Sequence, residues 1–161
     1  MRKRVLSLVL ILLVAITGGG CRLQPVTSGQ APDFTLHSLD GGTITLDDLE
    51  GQVLVLDFWA VWCRPCVEAM PHLQRLHERY ADQGVMVLAI NVEEDRDDVA
   101  EFIADHGYAL TVLFDSNGRV ADAYGVVGIP HTVVVDREGE VHYVPGGPDD
   151  VEDTLRQLVG E

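Results

Sequence analysis

Residues 53–66 read VLVLDFWAVWCRPC and contain the clearest structural signal in the sequence. Its first seven residues form a nearly continuous apolar run of strand length, as expected for a central strand that is covered on both faces. Two cysteines spaced C-x-x-C follow directly. Apolar residues then recur at three- and four-residue spacing over about 63–81, which predicts a helix that begins at the cysteines.

Cys63 and Cys66 occupy the first turn of this predicted helix. The free backbone N–H groups and the positive end of the helix dipole at that place stabilise a thiolate, so Cys63 is predicted to be the nucleophile. Two intervening residues keep both sulfurs on one turn, where a small disulfide ring can open and close without unfolding. Pro65 stands where no backbone donor is needed. The pair predicts thiol–disulfide exchange.

The rest of the chain alternates strand and helix patterns around this stretch. Two hairpins are predicted, one on each side of it, together with further buried strands and two more helices. This alternation predicts an α/β domain with a central mixed sheet flanked by helices. The segments are a hairpin over 34–39 and 43–46, a strand over 85–92, a helix ending at His106–Gly107, a strand over 110–114, a hairpin over 132–135 and 140–144, and a final helix with Leu155 and Leu158.

The first twenty residues have an export pattern, in which three basic residues precede an apolar run over 5–17. That run is shorter than the roughly 20 residues of a bilayer-spanning helix, so residues 1–20 are predicted to be a signal peptide or membrane anchor. Cys21 follows three glycines, which is similar to a bacterial lipoprotein signal and predicts lipidation of Cys21. Gly18 stands where that signal usually has Leu, so an uncleaved anchor and simple secretion stay open. A flexible tether is expected over 21–30 and the folded domain over 31–161.

The chain is strongly acidic, with a formal net charge of −15. Residues 21–161 hold 8 of the basic and all 26 acidic side chains, a formal charge of −18. Such a surface repels phosphate backbones, and no basic stripe is visible, so nucleic-acid binding is not expected. The acidic surface favours a basic partner protein or serves only to keep the protein soluble.

Residues 57–66 resemble the active-site stretch of thioredoxins. The Ala-Pro-Asp-Phe opening at 31–34, the Met70–Pro71 pair, the Gly-Ile-Pro turn at 128–130 and the export pattern make the chain similar to the membrane-attached TlpA/ResA group. This resemblance covers about residues 31–159. It implies a thioredoxin-like fold with an added N-terminal β-hairpin. It also implies reduction of protein disulfides outside the cytoplasm, in several members during cytochrome c maturation.

The resemblance further assigns roles at the site. Cys63 would attack and Cys66 would resolve, and no cofactor is expected beyond their redox-active disulfide. Pro130 would be cis, and Ile129 would offer backbone groups to an extended substrate. Trp62, Arg64 and Pro65 are expected at the substrate surface. The implied partners are exported disulfide clients such as apocytochrome c, a membrane thiol–disulfide carrier as electron donor, and the membrane itself through the N-terminal anchor.

Asp57 is informative without any family, because a carboxylate inside an apolar strand is costly to bury and is expected to have a raised pKa. We predict that it relays the proton of Cys66. The alternative is an aspartate that turns to water or caps a neighbour. Many ResA-like proteins have Asn here and a Glu three places after the second cysteine, where this chain has Ala69. Glu68 is one position away, about 100° around the helix, and is not expected to replace it.

Several neighbours of the cysteines have two interpretations. Trp62 either shields the disulfide and contacts substrate or is an aromatic at the rim of the core. Arg64 either favours the ionised Cys63 or is simply solvated. His131 either lies near the sulfurs and titrates near neutral pH or is a tolerated substitution for the Thr common in relatives.

Other functions remain open at this point. A metal site would use Cys63, Cys66, His72 and His77, but the two histidines are about 140° apart around a helix, so no metal is expected. A copper-chaperone-like module is the other metal-binding alternative, but copper chaperones of related fold use C-x-x-x-C and a separate His, whereas this chain has C-x-x-C. A peroxidase would share the Ala-Pro-Asp-Phe opening, but peroxiredoxins have Thr where this chain has Ala60. A non-catalytic envelope scaffold would not need the cysteines. An oxidase or isomerase would use the same atoms as a reductase, and only the redox potential distinguishes them.

Overall fold

The computed structural model describes residues 29–144 and 148–160. The predicted signal peptide or anchor, the lipidation of Cys21 and the tether up to residue 28 lie outside the described residues. Among the helices that are described, none is long and apolar enough to cross a membrane.

Seven strands and four helices follow one another along the described chain. Short 3-10 turns at Asp47–Leu49 and Ala81–Gln83 connect some of them. The elements are β1 (Thr35–Ser38), β2 (Thr43–Thr45), β3 (Val53–Trp59), α1 (Arg64–Tyr80), β4 (Val85–Val92), α2 (Arg96–His106), β5 (Thr111–Asp115), α3 (Arg119–Ala123), β6 (His131–Val135), β7 (Val141–Tyr143) and α4 (Pro148–Val159).

The strands form one mixed sheet in the order β2-β1-β5-β4-β3-β6-β7. β3, β4 and β5 are parallel, because a helix connects each to the next, whereas the two hairpins pair antiparallel at the edges. The predicted central mixed sheet flanked by helices, with an added N-terminal hairpin, is therefore confirmed. The sequence pattern had not indicated α3, which is only five residues long.

The central strand β3 is buried along its whole length and divides the core into two layers. Val53, Val55 and Trp59 contribute to the layer that contains both cysteines and the inner faces of α1, α2 and α4. The alternate residues Leu54, Leu56 and Phe58 pack into the layer under α3. Since side chains alternate, Asp57 lies on the same face as Val55 and Trp59, which is the face of α1.

The segment Gly29–Ala31 pairs with the outer edge of β7. Ala31 N donates to Gly139 O at 2.8 Å, and Val141 N donates to Gly29 O at 2.8 Å. Val141 lies opposite Val135, which lies opposite Leu54 near the start of β3. This segment therefore lies at the end of the sheet opposite the cysteines.

Candidate active site

Cys63 and Cys66 are joined by a disulfide, with an S–S distance of 2.04 Å and a Cα–Cα distance of 5.2 Å. Cys63 is the N-cap of α1, and its Sγ accepts a hydrogen bond from Cys66 N at 3.3 Å. Cys66 is fully buried, whereas Cys63 keeps 5% of its surface exposed. The N-terminal sulfur is thus the one a second molecule would reach first.

The loop between β3 and α1 presents this disulfide. Cys63 N donates to Ala60 O at 3.1 Å and closes a turn around Val61 and Trp62. Pro65 lies in the first turn of α1, where its missing N–H removes no helical hydrogen bond. The backbone N–H groups at this end of the helix, including that of Cys66, are oriented to stabilise negative charge on Cys63 Sγ.

Asp57 is buried beneath this helix, with 2% of its surface exposed. Its Oδ1 accepts a hydrogen bond from Thr132 Oγ1 at 2.7 Å, and its Oδ2 has no partner among the described residues. Burial raises the pKa of Asp57 to about 7, and the bond from Thr132 opposes part of that rise. The expectation of a buried carboxyl with a raised pKa is confirmed, and the alternative in which it turns to water is wrong.

The Ile129–Pro130 peptide bond is cis, as expected. It directly precedes β6, whose first residue pairs with Phe58 near the end of β3, so Pro130 lies at the same end of the sheet as the cysteines. Ile129 is half-buried against the core layer that contains both cysteines, whereas Pro130 is exposed. The cis-proline loop and the start of α1 thus border the same surface.

Two predicted surface residues extend into solvent beside the disulfide. Trp62 is 72% exposed, so it is not an aromatic at the core rim. Arg64 Nε binds Glu68 Oε1 at 2.9 Å, and both side chains are largely exposed. Glu68 therefore pairs at the surface with Arg64 and does not take the buried place of a proton relay. Pro65 is also exposed.

His131 lies on the other side of the sheet from Asp57. It pairs with Phe58, and its ring centroid is 6.4 Å from that of Phe58 and 5.7 Å from that of Tyr143. Partial burial lowers the pKa of His131. The interpretation that placed His131 near the sulfurs is not supported by this geometry, because consecutive strand residues point to opposite faces.

Two further residues belong to the site and were not predicted. Thr132 reaches Asp57 across the β3–β6 pair, and Glu94 reaches the loop before Cys63. The only sequence signal for Thr132 is its place two residues after Pro130. Glu94 belongs to no sequence motif that would connect it to the cysteines. Within the part of the chain that the structure describes, no group of three or more His, Cys, Asp or Glu side chains is arranged to hold a metal ion.

Taken together, these groups can perform a dithiol–disulfide exchange. The outer sulfur lies at a helix N-terminus, the inner sulfur is shielded from water, and a buried carboxyl that titrates near neutral pH lies on the same face of the sheet. Such a carboxyl can accept a proton from a thiol and return it without a large cost in free energy. A substrate would bind on the surface formed by the helix start and the cis-proline loop.

Comparisons with known proteins agree with this chemistry. The sequence model of the AhpC/TSA family matches residues 27–144. A thiol-disulfide oxidoreductase ResA of Geobacillus thermodenitrificans is 37% identical over 128 residues, which cover 80% of this chain and 74% of the relative. The chain is thus similar in sequence to enzymes that carry out dithiol–disulfide exchange.

Solved structures extend the similarity to the fold. A thiol:disulfide interchange protein DsbE from Chlorobium tepidum superposes with a TM-score of 0.77 at 32% identity, covering 85% of this chain and all of the other. A secreted thiol-disulfide isomerase from Corynebacterium glutamicum has a TM-score of 0.70 at 31% identity, covering 84% of this chain and 93% of the other. The architecture is that of the thioredoxin-like fold.

Proposed function

This chain belongs to the AhpC/TSA family and is a ResA-like thiol-disulfide oxidoreductase, and we propose that it reduces disulfide bonds in exported proteins. One observation carries the proposal. The Cys63–Cys66 pair at the start of α1 lies on the same side of the sheet as Asp57, whose pKa is raised to about 7 by burial. Burial disfavours negative charge at Asp57 and at the fully buried Cys66, whereas the helix start stabilises it at the outer Cys63. The buried side of the site therefore favours the disulfide over a fully ionised dithiol, as expected of a reductant.

The reaction begins from the reduced pair. The Cys63 thiolate attacks one sulfur of the client disulfide, the client S–S bond breaks, and the other client sulfur leaves as a thiolate. Cys66 then gives its proton to the Asp57 carboxylate and attacks Cys63 Sγ. The mixed disulfide breaks, the second client sulfur leaves, and both client thiolates take up protons. The client has gained two electrons, and the Cys63–Cys66 disulfide has formed.

The location and partners are part of the same proposal. The export pattern in residues 1–20 supports a place outside the cytoplasm, with the segment that starts at Cys21 as a tether and Cys21 as the lipidated attachment. A membrane thiol–disulfide carrier would then reduce Cys63–Cys66 again, since no further cofactor is proposed. Apocytochrome c is the proposed client, because the acidic surface would attract a basic chain.

A redox titration and a trapping experiment test this function. The purified protein is equilibrated with thiol–disulfide buffers, and a midpoint near the reducing end, about −270 mV, is expected. The Cys66→Ser variant should retain an exported client as a mixed disulfide, whereas the Cys63→Ser variant serves as the control and should retain none. A midpoint near the oxidising end, about −120 mV, would contradict the reductase.

An isomerase is a second candidate, because one structural neighbour is named a secreted thiol-disulfide isomerase. An isomerase must release a substrate before the second cysteine resolves the mixed disulfide, and it would have a midpoint closer to about −180 mV. Recovery of activity from a scrambled disulfide protein measures this directly. A peroxidase is tested separately by turnover of hydrogen peroxide, which we expect to be absent because Ala60 replaces the Thr of peroxiredoxins.

A further inference from the structure

We propose that Glu94 is a positioning residue of the redox site, which fixes the turn before Cys63 and whose charge makes the Cys63–Cys66 pair more reducing. The inference depends on the redox role proposed above for this pair. Glu94 follows the end of β4 and lies outside the C-x-x-C motif and the cis-proline loop. No pattern in the sequence connects it to the cysteines.

Hydrogen bonds tie Glu94 to the active-site loop. Its Oε2 accepts from Val61 N at 2.8 Å and from Asn91 Nδ2 at 2.5 Å. Val61 lies inside the turn that the bond from Cys63 N to Ala60 O closes. A carboxylate that accepts from a backbone N–H forms a stronger bond than a neutral acceptor, so Glu94 restrains the turn that carries Trp62 and Cys63.

Asn91 is the part of this arrangement that is hardest to explain as packing alone. It is 1% exposed, and its Oδ1 has no partner among the described residues, so the bond to Glu94 is the contact that its amide makes. A buried amide that is only partly satisfied costs free energy. Glu93, the residue just before Glu94, has φ of +57°, which is uncommon for a residue other than glycine. The chain thus adopts a costly local conformation next to the carboxylate that reaches Val61.

The charge of Glu94 is also close enough to act on Cys63. Glu94 Oε2 lies 2.8 Å from Val61 N, and the bond from Cys63 N to Ala60 O keeps Val61 N within about 5 Å of Cys63 N, so the carboxylate lies within roughly 12 Å of Cys63 Sγ. At that distance a unit charge changes an ionisation equilibrium by roughly twofold in water and roughly tenfold at an effective dielectric constant of 20. Glu94 borders an open surface cleft of about 460 Å³, so a value near the lower limit is expected.

The sign of the effect follows from the charges. A carboxylate disfavours the Cys63 thiolate, which exists only in the reduced protein, and has no such effect on the neutral disulfide. It therefore stabilises the oxidised form relative to the reduced form, which makes the pair a stronger reductant. Removing the charge should move the pair toward an oxidant, because a stabilised reduced form is what makes a disulfide oxidising.

Glu94→Gln separates charge from geometry, because the amide oxygen of Gln can still accept from Val61 N. At pH 8 we expect an about threefold shift of the equilibrium with a thiol–disulfide buffer toward the reduced protein, which is about +14 mV. The alkylation of Cys63 should also reach half its maximal rate at a lower pH. Glu101→Gln is the matched control, because this substitution removes the same charge from an exposed position on α2, outside the active-site loop.

Glu94→Ala removes the acceptor as well, and it should show the same shift together with slower reduction of a client. If Glu94→Gln keeps the midpoint and alkylation profile of Glu101→Gln, the inference is wrong, whatever happens to Glu94→Ala. That result differs from a failure of the proposed function, in which the wild-type protein itself would not exchange electrons with the thiol buffer.

Discussion

The buried carboxyl of Asp57 makes the stability of the oxidised protein depend on pH. In the unfolded chain this group ionises near the ordinary aspartate pKa of 3.8, whereas burial raises its pKa in the folded protein to about 7. Between these values the folded protein holds a proton that the unfolded chain has lost, so the free energy of unfolding falls as pH rises. The pKa values differ by about three units, and each unit is worth about 1.4 kcal/mol, so the full loss is about 4 kcal/mol.

Asp57→Asn removes this titration and keeps an oxygen that can accept from Thr132. The stabilisation contributed by the raised pKa is fully present below about pH 4 and is lost as pH rises through about 7. Compared with the wild-type protein, the variant should therefore gain about 4 kcal/mol in unfolding free energy between pH 4 and pH 8. Urea titrations of both disulfide-bonded proteins at several pH values measure this, because Cys63 and Cys66 do not titrate while they form the disulfide. If the two curves run parallel across that range, Asp57 does not have the raised pKa on which the proton relay depends.

Three further changes test other contacts. Thr132→Val removes the hydrogen bond that lowers the pKa of Asp57, so that pKa should rise further, as measured by spectroscopy of the carboxyl group in the oxidised protein. Thr132→Ser keeps the hydroxyl and should leave the pKa of Asp57 near its wild-type value. Leu56→Ala leaves a cavity at a fully buried position of β3 and should lower the free energy of unfolding, measured by urea titration, by about 2–5 kcal/mol. The control Val127→Ala, at a fully exposed position, should change that free energy very little. Arg64→Ala should change stability by less than about 0.5 kcal/mol, because its ion pair with Glu68 is exposed; a larger loss would mean that the pair does more than the geometry indicates.

The sequence predicts those features that depend on neighbouring residues. The apolar run of β3 and the three- and four-residue spacing of α1 identify the elements, and the C-x-x-C spacing identifies the redox pair. Asp57 could be recognised because a charged residue in a buried strand has few alternatives. The five-residue helix α3 was missed, since fewer than two turns cannot display a helical period.

Contacts between distant residues could not be predicted in the same way. Thr132 is 75 residues from Asp57, and Glu94 is 33 residues from Val61. Their meeting depends on the register of β6 against β3 and on the conformation of the loop after β4. The side on which His131 lies depends on the same register, because a slip of one residue would reverse its face.

The pairing of Gly29–Ala31 with the edge of β7 determines which way the redox pair faces when the domain is attached to a support. The chain enters at one end of the sheet and the redox pair lies at the other, separated by the seven residues of β3, about 23 Å. A bead, an electrode or a fused carrier joined directly at Gly29 would leave the sulfurs directed outward. Large macromolecules could then reach Cys63 without contact with the surface that holds the domain.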